Sequence, residues 1–294
     1  MKNQIKELIH LVKALPLTEG VNPTKVNVLS IRKHSAPITA HSIFKPLFCL
    51  NLQGDKVLEV GEEKYEYTAG QYILASAELA LTGHVKNINS HRPYYGIIID
   101  IDPIMIVEVL NDMIFYESKN SSPKRALSIK DANENLLDAV KRLLETLEAE
   151  ENSKVLSKLY IKEIIYLLLK DNQDGTLIQM GMMGSQFQRI KSSISHIITN
   201  YQTKINIDDL AQSAAMSSSS FHKYFKDVTG LSPIQFQKKT GLMNARGHII
   251  SSSRDIAEIA FEVGYESPSQ FSREYSRQFG LSPKEERINV LEFS

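Results

Sequence analysis

The chain has 294 residues, 42% of them hydrophobic and 23% charged, and its 34 basic residues balance 34 acidic ones. That length favours two domains over one, and the composition excludes fibrous and disordered classes. No apolar run reaches the ~18–20 residues of a membrane span. The start, Lys2-Asn3-Gln4-Ile5-Lys6-Glu7, lacks the apolar core of a secretion signal, so a cytoplasmic location is the expectation. Zero net charge argues mildly against a nucleic-acid partner, because such proteins are usually basic. Division after Ser185 leaves about −2 in front and about +2 behind, an asymmetry too weak to decide, so any case for DNA rests on motif geometry.

Residues Ile5 to Leu15 read as a short amphipathic helix ended by Pro16. From about 22 to 102 the texture is β. Val57-Leu58-Glu59-Val60, a Gly61-Glu62 turn and Lys64-Tyr65-Glu66-Tyr67 read as a hairpin, with further strands at Tyr72 to Ala75 and Tyr94 to Ile99. Short strands with regular turn signals predict a sandwich or small barrel. The lone cysteine, Cys49, lies in the apolar run Leu47-Phe48-Cys49-Leu50, which reads as a buried strand and permits no intramolecular disulfide.

The period then switches to helical, and helices are expected over about 103–172. Asp102-Pro103 is a helix start, with a capping carboxylate and proline at the first position. Leu136, Leu137, Val140, Leu143, Leu144 and Leu147 form one apolar stripe; Val155, Leu156, Leu159, Ile164, Ile165 and Leu168 form another. Ile164 to Leu169 is apolar nearly all round and must be buried. These two helices either form a dimer interface or pack on their own β domain. The polar, Gly-bearing stretch 173–185 reads as a linker.

Behind it, over 186–294, the chain repeats itself. Phe221-His222-Lys223-Tyr224-Phe225 precedes Gly230-Leu231-Ser232-Pro233, and Phe271-Ser272-Arg273-Glu274-Tyr275 precedes Gly280-Leu281-Ser282-Pro283 at the same spacing. A repeat of this length is one supersecondary unit used twice. Each copy, about 206–229 and 254–280, reads as helix, tight turn, helix. In the first, Asn206 caps, Ile207, Leu210, Ala211 and Ala214 face inward, and Met216-Ser217 turns the chain. In the second, Ser253 is the expected cap, Gly264 supplies the turn and Ser267-Pro268 starts the next helix.

Such pairs suit major-groove reading when the second helix begins with small polar and basic residues. The outward positions are Ser218, Ser219, His222 and Lys223 in one helix, and Ser269, Gln270, Ser272 and Arg273 in the other. Arg273 can pair bidentately with guanine and Gln270 with adenine. Lys226 and Arg277, further along, suit phosphate. One copy alone could be an ordinary helical hairpin with a solvated face; two matched copies argue against that.

On these stretches, residues Arg189 to Pro283 closely resemble the C-terminal domain of the AraC/XylS family of bacterial transcription regulators. The resemblance is carried by Ile207 to Met216, Ser220 to Lys226, Thr229 to Pro233, Val263 to Ser267, Ser269 to Tyr275 and Phe279 to Pro283. It implies base contacts by Ser219, His222 and Lys223 from one helix and by Ser269, Gln270 and Arg273 from the other. Glu19 through Pro103 resembles the cupin-like N-terminal domain of one subgroup, carried by Leu52-Gln53-Gly54-Asp55-Lys56, Ala69-Gly70-Gln71-Tyr72 and Leu81-Thr82-Gly83. The implied architecture is α+β: a cupin-like β-sandwich or barrel with trailing helices over 1–172, then an all-α domain of two helix-turn-helix units. The implied partners are double-stranded promoter DNA and RNA polymerase, with a small-molecule effector or a second copy of the chain acting through the front domain. The helix joining the two units departs from the family pattern, with Thr240, Gly241, Gly247 and His248 where Arg and Leu residues are usual. Two interior glycines cost ~1 kcal/mol each relative to alanine, so a flexible joining helix and a lost phosphate contact near Gly241 are expected; Leu242, Ala245 and Ile249 still keep helical period.

Two other readings remain open. Cupins can be metal enzymes, but His34, His41, His84 and His91 are scattered, with no His-x-His pair beside a glutamate; His84 and His91 read as loop or strand-edge residues. No phosphate loop or nucleophile elbow is present, so no metal, cofactor or catalysis is expected. The zero charge and the two glycines also fit an interaction protein that has lost DNA binding.

Overall fold

The computed structural model describes residues 1–113, 125–148, 153–171, 175–182 and 185–292. Contacts divide the chain into two compact units, 1–191 with 227–230 and 192–226 with 231–294.

The front unit opens with α1 (Lys2–Lys13) and continues through β1 (Gly20–Pro23), β2 (Leu29–His34), β3 (Ile38–Phe44), β4 (Leu47–Gln53) and β5 (Asp55–Val60). There follow β6 (Glu63–Tyr67), β7 (Gln71–Ala75), β8 (Leu79–Lys86), β9 (Tyr94–Asp100), α2 (Pro103–Asp112) and β10 (Leu127–Asp131). All pairings are antiparallel. One sheet has the order β1-β2-β9-β4-β7-β10, the other β3-β8-β5-β6. Strand β4 is central in the first sheet, which explains its continuous apolar run, because a strand covered on both faces need not alternate. Cys49 sits there, buried between Ile73 and Ile98 on the neighbouring strands. Lys56 on β5 brings its ammonium 5.5 Å from the Phe44 ring of its own sheet and 5.6 Å from the Tyr94 ring of the other. The two sheets therefore face one another, a sandwich of the cupin-like kind.

Three expectations need correction here. Strand β10 interrupts the region read as helical: Leu127-Ser128-Ile129-Lys130-Asp131 alternates, and it pairs in register with β7. His84 is not at an edge; it lies in β8 between β3 and β5, with Thr39 Oγ1 2.9 Å from its Nδ1. The stretch read as a linker is partly packed: it contains α5 (Ile178–Gly181), Leu177 and Met180 are buried, and Gln179 donates to Ser76 Oγ at 3.1 Å. Its apolar residues outweigh the glycine signal. Gly184, also assigned to that linker, lies outside the described residues.

The trailing helices α3 (Glu134–Glu145) and α4 (Ser153–Asp171) pack together. Leu136, Leu137, Val140, Leu143 and Leu144 are buried, as are Ile164, Ile165, Leu168 and Leu169. Arg142 clamps the pair, with its two terminal nitrogens 2.7 and 2.8 Å from the Glu163 carboxylate oxygens. The near half of the second stripe behaves otherwise: Val155 and Leu159 are 66% and 58% exposed. Among the described residues no helix is long and apolar enough to cross a membrane.

The rear unit is helical: α6 (Gln186–Thr199), α7 (Ile207–Ser213), α8 (Ser218–Thr229), α9 (Pro233–Ser251), α10 (Ile256–Glu262), α11 (Pro268–Phe279) and α12 (Pro283–Glu292), with α6 and α8 each spanning the division between the units. The joining helix α9 is one unbroken element of 19 residues. Its two glycines differ in kind. Gly241 is buried, and a Cβ there would stand 3.2 Å from the Val263 carbonyl oxygen, so its bareness permits close approach of α10. Gly247 is exposed with nothing within 4 Å. Gly247→Ala is therefore expected to raise stability by ~1 kcal/mol. Gly241→Ala is expected to show no gain, because crowding offsets the propensity. Urea melts of both variants check this, and equal gains would contradict it.

Candidate nucleic-acid interface

The repeated Gly-Leu-Ser-Pro segment does the same work twice. Gly230 and Gly280 take φ of +78° and +81°, a conformation natural to glycine that ends α8 and α11. Ser232 and Ser282 then cap α9 and α12 by accepting from the Gln235 and Glu285 amides at 3.3 Å, and those side chains accept the serine amides in return. Pro233 and Pro283 occupy the first helical position. The serine hydrogen bonds hold the Glu285 carboxyl below its ordinary value.

The two helix-turn-helix turns also share one bonding pattern. The Met216 amide donates to the Ala211 carbonyl at 2.9 Å, and the Tyr265 amide to the Ala260 carbonyl at 3.0 Å. In each, the residue before the donor is left-handed: Ala215 at φ +51° and Gly264 at φ +91°. The pivot of the first turn is thus Ala215, one residue before the expected Met216-Ser217. Gly264 is needed on two counts, since a Cβ there would also fall 2.5 Å from the Gln202 carbonyl oxygen. Asn206 caps α7 by accepting from the Asp208 amide at 3.0 Å, as expected. Ser253 does not cap α10. Asp255 does, accepting from Ala257 at 2.7 Å and from Glu258 at 3.4 Å; it stands directly before the helix, and a carboxylate is the stronger acceptor.

Matched cores orient α8 and α11. In the first copy Phe221 and Phe225 are fully buried, and the Phe225 ring meets Phe236 of α9 edge-on at 5.6 Å. In the second, Phe271 and Tyr275 are fully buried with Ile259, Ala260 and Val263, against Leu242, Ala245 and Ile249 from the other end of α9. One helix therefore supplies core to both copies. With these aromatics turned in, the opposite faces turn out. Ser219, His222, Lys223 and Lys226 on α8 are exposed, as are Ser269, Gln270, Arg273 and Arg277 on α11. Ser218 and Ser272 are half-buried, and Ser218 donates to Asp208. Among the described residues no ion pair engages Lys223, Arg273 or Arg277. The outward faces thus offer small polar side chains near each helix start and cations one to two turns on, a pattern suited to base edges and flanking phosphates.

The sequence did not single out Glu274. Its carboxylate accepts from Lys238 at 2.8 Å, Tyr265 at 2.8 Å and Gln270 at 3.1 Å, tying α9, the turn and α11 together. Burial pushes this carboxyl up, but the three hydrogen bonds outweigh it and hold it below the usual range. Burial and the Glu274 contact both push the Tyr265 hydroxyl up. Spacing held the signal, since Gln270 and Glu274 are one helical turn apart. A second knot fixes α12: Arg246 of α9 donates to Glu286 Oε1 at 2.7 Å, and Tyr275 donates to the other oxygen.

Residues 25–176 match the model of the AraC-type transcriptional regulator N-terminus, and residues 210–288 match that of a helix-turn-helix domain. The chain belongs to the AraC family of transcription regulators. Its helix-turn-helix part is the DNA-binding domain of that family and its front unit the regulatory domain. The lactose operon transcription activator of Staphylococcus xylosus is 23% identical over 235 residues, 80% of this chain and 81% of that one. An uncharacterized helix-turn-helix regulator of Haemophilus influenzae is 30% identical over 127 residues, 43% of each chain. Among solved structures, apo ToxT of Vibrio cholerae superposes with a TM-score of 0.56 at 11% identity, covering 91% of this chain and 99% of that one. Unsaturated-fatty-acid-bound ToxT gives 0.55 at 11%, covering 88% and 94%. These two likenesses establish a shared fold.

Proposed function

We propose that this AraC-family regulator reads two adjacent major-groove segments of promoter DNA, one with α8 and one with α11. Ser219, His222 and Lys223 make the base contacts of the first, and Ser269, Gln270 and Arg273 those of the second. Lys226 and Arg277 hold phosphates. The observation that carries this reading is that two matched aromatic cores leave all eight side chains exposed on the second helix of each copy. The protein acts in the cytoplasm with RNA polymerase as a further partner. The expected result on fragments recovered by genomic capture is binding that falls steeply with salt, log K dropping linearly with log salt at a slope near the number of phosphates neutralised. Salt-insensitive retention, or none on any captured fragment, would contradict it.

The front unit senses a small molecule, a reading supported by the fatty-acid-bound form of ToxT. It also pairs with a second copy of the chain. What favours pairing is the run of exposed apolar side chains on α4, where Val155, Leu159 and Tyr166 are 66%, 58% and 41% exposed; Leu159 and Tyr166 line an open surface hollow with Val109 and Met113 of the α2 end, rimmed by the Lys162–Asp112 ion pair and Glu163. Sedimentation equilibrium should return a dimer mass, and a monomer at every concentration would end that part of the reading.

A further inference from the structure

Between the two sheets lies a cavity of about 180 Å³, room for ~6 waters at ~30 Å³ each. Its walls are largely apolar, including Ile38, Phe44, Leu81 and Val85. Its basic groups are Arg32 and His34 from β2 and Lys56 from β5, burial disfavours the charged form of His34, and no carboxylate lines it. Glu19 reaches His34 at 3.9 Å, but it is largely exposed and bonded to Ser35.

Lys56 is the unusual member. It is 3% exposed, and its ammonium has no hydrogen-bond partner among the described residues. Its stem passes where Gly83 carries no side chain; a Cβ on Gly83 would come within 3.4 Å of Lys56 Cε. Arg32 faces the same space, its guanidinium carbon 5.9 Å from the Phe44 ring, and it too forms no ion pair among the described residues. Aromatic faces offset part of the cost of a buried cation, but a missing anion is the larger deficit. Two unpaired cations aimed into an apolar pocket specify a ligand with an acidic head and a short apolar body.

We propose that this cavity binds a small carboxylate, its oxygens meeting Lys56 Nζ and Arg32 and its carbon chain lying against Phe44, Leu81 and Val85. The proposal rests on the sensing role given to the front unit and names the chemical class sensed. The small volume restricts the ligand to a short chain. An acid also satisfies Lys56 in a way that an alcohol of the same length cannot, since only a charge offsets a charge in low dielectric.

The test is calorimetric titration of the full chain with propionate, butyrate and hexanoate, each beside the alcohol of equal length, at about pH 6.5. At least one acid is expected to bind about tenfold or more tightly than its alcohol, and Lys56→Met is expected to lose about tenfold or more of that affinity while keeping its near-ultraviolet circular dichroism. Arg32→Gln, altered at a partly exposed site, should weaken the same acid. Equal binding of acid and alcohol, or an unchanged acid affinity in Lys56→Met, overturns the proposal. If no acid binds while a metabolite extract still alters DNA binding, the carboxylate assignment falls and the sensing role stands. If neither has any effect, both fall.

Discussion

Replacing Lys56 by methionine is expected to stabilise the front unit by on the order of 4 kcal/mol near pH 6, with a gain that shrinks steadily as pH rises. Burial, and then the like charge of Arg32, lower the Lys56 pKa from 10.5 to about 7, against a small opposing effect of Cys49. Each unit is worth ~1.4 kcal/mol. The sign follows from proton counting. Below about pH 7 folded and unfolded chains both carry the proton, and the whole cost of burying it is present. Between about 7 and 10.5 the unfolded chain holds more protons than the folded one, so wild-type stability rises with pH through that window. Methionine has similar volume and no charge, so the variant lacks this slope.

The groups facing Lys56 are Arg32 and His34 of β2, Cys49 of β4, Tyr67 of β6 and Tyr94 of β9. Burial lowers the His34 pKa and raises those of both tyrosines. These groups are common to both proteins, so the difference between paired urea melts from pH 6 to 9 reports Lys56 together with its coupling to His34, whose pKa the Lys56 charge lowers. A variant that is no more stable at pH 6, or a gain that does not change with pH, would contradict the account. A lysine buried with no hydrogen-bond partner among the described residues is better explained by a ligand than by packing.

Phe271→Ala is expected to cost about 3–5 kcal/mol and to dissolve the second helix-turn-helix before the first. Phe271 is fully buried, with its ring centroid 5.3 Å from Tyr265 and 5.5 Å from Tyr275. Its loss opens a void where α9, α10 and α11 meet, and Glu274 can no longer be held against Tyr265 in the same geometry. A loss of this size is a large share of the ~5–15 kcal/mol that holds a domain together. The first copy has its own aromatic core in Phe221, Phe225 and Phe236. Hydrogen exchange should therefore show lost protection in α10 and α11, with α7 and α8 retained. Uniform loss over all four helices would mean that the two copies fold as one cooperative unit, against this expectation.

Much of this was legible in the chain. Repeated aromatics and the Gly-Leu-Ser-Pro segments located both helix-turn-helix units, because each local signal there agrees with the tertiary fold: caps, prolines and inward stripes all point the same way. Helical period placed Ser219, His222, Lys223, Ser269, Gln270 and Arg273 outward, whereas Ser218 and Ser272, read the same way, are half-buried. What escaped was set by long-range contact. Strand β10 is five residues long and acquires its identity from pairing with β7. Gly241 read as a weak point until Val263 was seen against it. Glu274 matters through Lys238, which lies 36 residues away. Lys56 entered only within the stretch that carries the cupin-like resemblance, since nothing local reveals that its face of β5 turns toward the other sheet.

The most direct test of the central claim is methylation interference on a captured operator, with wild-type protein and Arg273→Ala side by side. The expected pattern is two clusters of sensitive major-groove positions about 10 base pairs apart. Arg273→Ala should lose ~1–3 kcal/mol of affinity and the sensitivity of one cluster while keeping the other. A single cluster, or an Arg273→Ala pattern identical to wild type in both, would contradict the reading of α8 and α11 as paired recognition helices.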